Sequence, residues 1–158
     1  MTTSDSITSL HTAGVDLGGL MTVLGKHLYS TPVVALRELV QNAHDSIVRR
    51  RIEQGADFVP VIRVYGDPVN GVVRVVDSGA GLTEDEVHNY LATVGRSGTR
   101  RLRETSGSDE LIGMFGLGFL SAFVLASKVT VTTTSWRTPN LGWRYQSSNA
   151  EQYSVSSV

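Results

Sequence analysis

Residues 36–45 read LRELVQNAHD, and few backbones other than a helix can sort these side chains. Leu36, Leu39, Val40, Ala43 and Ile47 recur at helical spacing and gather on one arc. Glu38, Asn42 and Asp45 stand opposite them, at i, i+4 and i+7. At about 100° per residue, Asn42 falls about 40° to one side of Glu38 and Asp45 about 20° to the other. One stripe therefore carries a carboxylate, an amide oxygen and a second carboxylate. Taken alone, the run is an amphipathic helix with a solvated outer face. The same oxygens also suit magnesium, which takes one or two protein ligands and completes its shell with phosphates and waters. A carboxylate beside such an ion can draw a proton from water.

The chain has 158 residues, enough for one compact domain of mixed helix and strand with a real core. Its formal net charge of −1 gives no electrostatic reason to bind nucleic acid or an anionic membrane. It contains no cysteine, which excludes disulfides, thiolate chemistry and cysteine-type zinc sites. His11, His27, His44 and His88 show no paired metal spacing. No apolar run approaches the roughly 20 residues that span a bilayer, and the polar start MTTSDSITS lacks a signal-peptide layout. A soluble cytoplasmic protein is the expectation.

Residues 1–14 are Ser/Thr-rich and expected to be flexible, with room for a short strand. Leu17, Leu20, Met21, Leu24 and Leu28 predict a first helix ending near Tyr29. Thr31-Pro32 supplies a cap residue and a proline for the next helix, which runs to about Glu53 with Gly55 just past its end. Arg49, Arg50 and Arg51 sit in its last turns, where positive charge is favourable without any ligand. Val61–Tyr65 and Val72–Val76 alternate around a Gly66–Gly71 turn and predict a hairpin. Thr83-Glu84-Asp85-Glu86 has the form of a capping box, opening a helix that continues through Leu91. Residues 95–113 are rich in glycine, serine and charge and read as a mobile loop. Phe115–Leu125 predicts a further helix, and Lys128–Thr134, Trp143–Ser147 and Tyr153–Val155 predict strands. This order implies an α+β fold with a largely antiparallel sheet covered on one face by helices.

Two further groups of residues bear on chemistry. Val75-Val76-Asp77-Ser78-Gly79-Ala80-Gly81-Leu82 ends a hydrophobic strand on an aspartate followed by two glycines. A carboxylate there either caps the turn or faces a polar ligand, and the glycines permit close backbone approach. Gly95-Arg96-Ser97-Gly98-Thr99 is followed by Ile112-Gly113-Met114-Phe115-Gly116-Leu117-Gly118-Phe119. Glycines opening a helix can turn backbone amides toward phosphate, and Arg96 adds a permanent cation. A dinucleotide-binding turn fails, because no apolar strand enters these glycines and the third glycine is missing. A lysine-bearing phosphate loop fails because no Gly-Lys-Ser/Thr occurs.

Taken in order, LRELVQNAHDSI, DSGAGLT, GRSGT and IGMFGLGFLSAF resemble the GHKL superfamily of ATPases (gyrase, heat-shock protein 90, histidine kinase, MutL). Within it they look most like the amino-terminal domain of the heat-shock protein 90 chaperones, bacterial HtpG included. The resemblance runs from about Leu17 to the end of the chain. It implies a two-layer α/β sandwich of the Bergerat type that binds ATP or ADP with Mg2+ between its helices and a lid. Glu38 would activate the attacking water, Asn42 would give its side-chain oxygen to magnesium, and Asp45 would support the site. Asp77 would accept a hydrogen bond from the adenine amine, with Gly79 and Gly81 letting the base lie against backbone and Leu82 packing beside it. Asn89 would reach toward ribose or phosphates. Arg96, Ser97 and Gly98 would form the lid edge, and Gly116, Gly118 and Phe119 would offer backbone amides to the phosphates.

The resemblance further implies that residues 1–158 are one excised nucleotide-binding domain, lacking the family's middle and carboxyl-terminal domains. The fragment is then expected to be a monomer with very weak hydrolysis, while the full-length protein forms a homodimer that acts on client proteins. Three alternatives stay open from the residues: another GHKL enzyme of DNA-repair, topoisomerase or kinase type, a nucleotide-gated module that does not hydrolyse, and a structural domain without ligand.

Overall fold

A computed structural model describes Gly19, residues 31–92 and residues 118–158. The predicted first helix, the amino-terminal segment and the 95–113 loop lie outside the described residues. Helix α1 spans Pro32–Gln54. Proline begins it where a missing N–H costs nothing, and Gly55 ends it with φ +99°, its amide bonded to Arg51 O at 3.0 Å. Thr31 occupies the cap position in extended conformation, but its side chain makes no capping hydrogen bond. The first backbone bond instead runs from Val34 N to Thr31 O.

α1 is not the one-sided surface helix that its sequence suggests. Ala35, Ala43, Asp45, Ile47 and Val48 are all buried and lie around most of its circumference, so neighbours press on it from several sides. Strands β1 (Ile62–Asp67) and β2 (Val72–Asp77) form the expected antiparallel hairpin, in register Ile62↔Asp77 through Asp67↔Val72. Its turn is tighter than predicted because Gly66 and Asp67 belong to the strand. Asp67 Oδ1 accepts from the amides of Val69 and Asn70, Asn70 Nδ2 donates to Asp67 Oδ2 at 2.7 Å, and Gly71 takes φ +62°.

The capping box forms as predicted. Thr83 Oγ1 accepts from Glu86 N while Glu86 Oε2 accepts from Thr83 N. The helix that follows is not uniform: α2 (Glu84–Glu86) passes into a π turn, Val87–Leu91. The predicted 115–125 helix is also different. From Gly118 onward it is a 3-10 turn, Gly118–Ser121, followed by a single α turn, α3 (Ala122–Leu125). Ser121 Oγ lies 2.6 Å from Gly118 O and 3.3 Å from Ala35 O, so one buried hydroxyl binds the tight turn to itself and to α1.

Strands β3 (Val129–Thr134), β4 (Gly142–Ser147) and β5 (Tyr153–Ser157) pair antiparallel in the order β3-β4-β5. Among the described residues the strands therefore form two antiparallel sheets, one of two strands and one of three. Residues 78–82 bridge them. Ala80 N donates to Ser46 O on α1, Ala80 O accepts from Trp136 N, and Leu82 N donates to Thr133 Oγ1 on β3, each at 2.9–3.0 Å. Ala35 and Leu120 anchor the core beneath α1, joined by Val34, Phe123, Val124 and Leu125. A chain of rings, Phe123–Phe119–Tyr145–Tyr153, carries packing from α3 across the three-stranded sheet. Burial pushes the Tyr145 phenol above its ordinary value, partly offset by its hydrogen bond to Ser147.

Candidate functional site

Glu38 and Asn42 face the start of the 3-10 turn. A methyl group placed on Gly118 would lie 3.2 Å from Asn42 Oδ1 and 3.6 Å from Glu38 Oε2. The glycine of the third sequence group is thereby set directly against the first. Among the described residues Asn42 makes no side-chain hydrogen bond, and Glu38 has only a loose contact to Arg37, at 3.8 Å. The two groups differ from Asp45, which is 3% exposed and has His44 Nδ1 at 3.5 Å from its Oδ1. Asp45 is thus held inside the protein, one turn along the same stripe.

Asp77 stands at the end of β2 and is exposed. Its Oδ1 accepts from Gly79 N at 2.8 Å, so the carboxylate caps its own turn. Its Oδ2 accepts no hydrogen bond among the described residues. The turn-cap reading of this residue is met by its Oδ1.

Gly79 and Gly81 serve close approach, but the surfaces that come close are protein. A Cβ on Gly79 would fall 2.1 Å from Ser46 Oγ, and one on Gly81 would fall 1.9 Å from Thr134 O. Gly81 also has φ +62°, where a side chain is strained. The face where a side chain would stand at these glycines is occupied by α1 and by the end of β3. Leu82 is half-buried beside them. Asn89 sits on the π turn, and its Nδ2 donates to Asp85 O at 2.8 Å. The Phe119 ring packs edge-on to Phe123 and Tyr145, in the core. Arg96, Ser97, Gly98 and Gly116 lie outside the described residues.

The arginines at the end of α1 need no ligand, and one of them, Arg49, joins a cluster of ion pairs. Arg49 donates to Glu53 Oε1 at 2.8 Å and also pairs with Glu86. Glu53 Oε2 accepts from Trp136 Nε1 and from Arg137, both at 2.9 Å. Burial disfavours the charged form of Glu53, but hydrogen bonds from Arg49 and Trp136 and the charges of Arg49 and Arg137 outweigh it. The carboxyl is held below its ordinary value. Burial likewise works against the Arg49 cation, and Glu53 and Glu86 more than offset that, raising it. The i,i+4 spacing of Arg49 with Glu53 was the one signal of this cluster in the sequence.

Among the described residues there is no group of three or more histidines, aspartates and glutamates able to cage a metal. An unpaired amide beside one carboxylate is too small a set to hold a free cation. It fits a magnesium ion that arrives on phosphates, which needs few protein oxygens.

An antiparallel α+β frame that sets an acid and an amide of one helix against a glycine-opened turn is the frame of a nucleotide-dependent ATPase. The chain belongs to the histidine kinase-, DNA gyrase B- and HSP90-like ATPase family, matching it over residues 29–157. It is 34% identical to the chaperone protein HtpG of Mesorhizobium japonicum, over 99% of this chain and 26% of that protein. It is 37% identical to the mitochondrial heat shock protein 90-6 of Arabidopsis thaliana, over 76% of this chain and 17% of that protein. HtpG of Shigella dysenteriae is 36% identical, over 83% and 23%. The chain spans about a quarter or less of the length of these relatives. The likeness to the heat-shock protein 90 chaperones drawn from the four motifs holds.

Proposed function

We propose that this chain binds ATP with magnesium through Glu38, Asn42, Gly118 and Asp77, and that the whole protein hydrolyses it to drive a chaperone cycle. The observation that carries this reading is the convergence on Gly118 of two polar side chains, Glu38 and Asn42, that have no firm partner among the described residues. Polar groups that the protein leaves unsatisfied are costly unless water or a ligand meets them.

In this reading Asp77 Oδ2 accepts the amine of adenine, with Leu82 beside the base. The amides of Gly118 and Phe119 meet the phosphates, joined by Gly116 and by Arg96, Ser97 and Gly98 from the lid edge. Asn89 turns from Asp85 toward the ribose or phosphates when nucleotide is present. Asn42 would hold the magnesium, which would neutralise phosphate charge, and Asp45 would support the site from further along the same stripe. Glu38 takes a proton from water as the water oxygen bonds to the γ-phosphorus and the bridging oxygen leaves with ADP. Positioning and charge stabilisation carry most of such a reaction. Lid closure on ATP, a homodimer and client proteins belong to the whole protein. Among the described residues no helix is long and apolar enough to cross a membrane, and the reading is of a cytoplasmic chaperone.

The test is calorimetric titration of the chain with ATP, ADP and GTP, with and without magnesium. Adenine nucleotides bind, GTP does not, and Asp77→Asn abolishes binding while the circular dichroism spectrum is unchanged. Unaltered affinity in the folded variant would overturn the adenine assignment. In the whole protein Glu38→Ala binds ATP without turnover; persistent turnover would require another base.

A further inference from the structure

Arg50 has no part in the roles above, yet it grips the turn that carries Asp77. Its Nη1 donates to Ser78 O at 2.9 Å, its Nε donates to Gln54 Oε1 at 2.7 Å, and its guanidinium lies 4.5 Å from the centre of the Phe58 ring. Three contacts from two directions immobilise a side chain that is otherwise flexible. Ser78 is held on its other side as well. Its Oγ donates to Val59 O and accepts from Val61 N, and its own amide donates to Val61 O.

The Ser78 carbonyl and the Gly79 amide belong to one planar peptide unit. A donor that fixes the direction of the carbonyl therefore fixes the direction of the amide, and that amide donates to Asp77 Oδ1. The rotation of the Asp77 carboxylate, and with it the aim of Oδ2, follows from where Arg50 sits. A glycine at 79 is otherwise free to let this peptide turn over. We propose that Arg50 is a positioning residue for base recognition, holding the Ser78–Gly79 peptide so that Asp77 presents Oδ2 to the nucleotide. This rests on the reading that Asp77 accepts the adenine amine.

The experiment compares the 158-residue chain with its Arg50→Met variant, titrated with ADP and with inosine diphosphate, whose base has oxygen in place of the amine. Loss of a charge-assisted hydrogen bond weakens ADP binding about tenfold, and the preference for ADP over inosine diphosphate falls by a similar factor. Exchange of the Gly79 amide, measured by NMR without nucleotide, becomes faster. A generally structural role for Arg50 would lower the melting temperature and leave the preference between the two bases unchanged. If Arg50→Met does not fold, Arg50→Lys keeps the stem and charge but lacks the fork; the same loss of preference is expected, smaller in size. A folded variant with wild-type preference overturns the proposal. A wild-type chain that binds no ADP overturns the reading of the site and this inference together, whereas binding by wild type and variant alike overturns this inference alone.

Discussion

The two ends of α1 present the same kind of surface and use it in opposite ways. Glu38 and Arg49 are eleven residues apart, which places them only about 20° from each other around the axis. Toward the amino end, Glu38 and Asn42 have no firm partner among the described residues. Toward the carboxyl end, Arg49 and Glu53 are each 14% exposed and bonded to Glu86, Trp136 and Arg137. A polar stripe on a helix is thus no sign of function until one asks who answers its hydrogen bonds. Where protein answers them, the stripe is architecture; where no described residue does, water or a ligand is left to answer.

The largest effect is expected away from both ends, at the 78–82 turn that packs between α1 and the end of β3. Gly81→Ala combines a φ of +62° with a methyl group 1.9 Å from Thr134 O. Conformational strain and overpacking together destabilise the chain by about 3 kcal/mol or more, measured by denaturant unfolding. A loss below about 1 kcal/mol would show that β3 moves aside freely.

Glu53→Gln comes next and attacks the satisfied end. Removing one charge from a partly buried network costs about 2 kcal/mol, less than for a fully buried pair. Because folding lowers the Glu53 pKa, its contribution is fully present above the ordinary carboxylate value and is lost as pH falls through the lowered one. The variant's stability should therefore decline less steeply than that of wild type below about pH 4. Parallel stability curves would remove Glu53 from the acid response.

Asn42→Ala has the smallest effect on stability, within about 0.5 kcal/mol, since an exposed side chain without partners is lost. It should nonetheless abolish the dependence of ATP binding on magnesium. If Asn42→Ala destabilised the chain as much as Glu53→Gln, the contrast between the two ends would be false.

Much of the frame was readable in advance. Pro32 and Gly55 bracket α1, the Asp67–Gly71 segment closes the hairpin, and Thr83 with Glu86 forms the box. Each of these rests on residues a few positions apart. The departures have a common origin. The apolar spacing of 115–125 suits a helix, yet from Gly118 a 3-10 turn forms, where Gly118 must lie against Asn42 and Ser121 must reach Ala35 O. The π turn after Glu86 likewise has no signal in Val87–Leu91. At Gly79 and Gly81 the bodies that stand where a side chain would are Ser46 and Thr134, which no local pattern could name.

Local chemistry along the chain dictated where the elements begin and end, and it assembled the four motifs that mark the family. It could not say which polar groups stay unsatisfied. The partners that answer Arg49 and Glu53 come from 37 and 83 residues away, and their arrival is a matter of packing. A hydrogen bond is short and directional while sequence separation carries no direction, so only the folded chain separates the carboxylates that hold it together from the one that no described residue holds firmly.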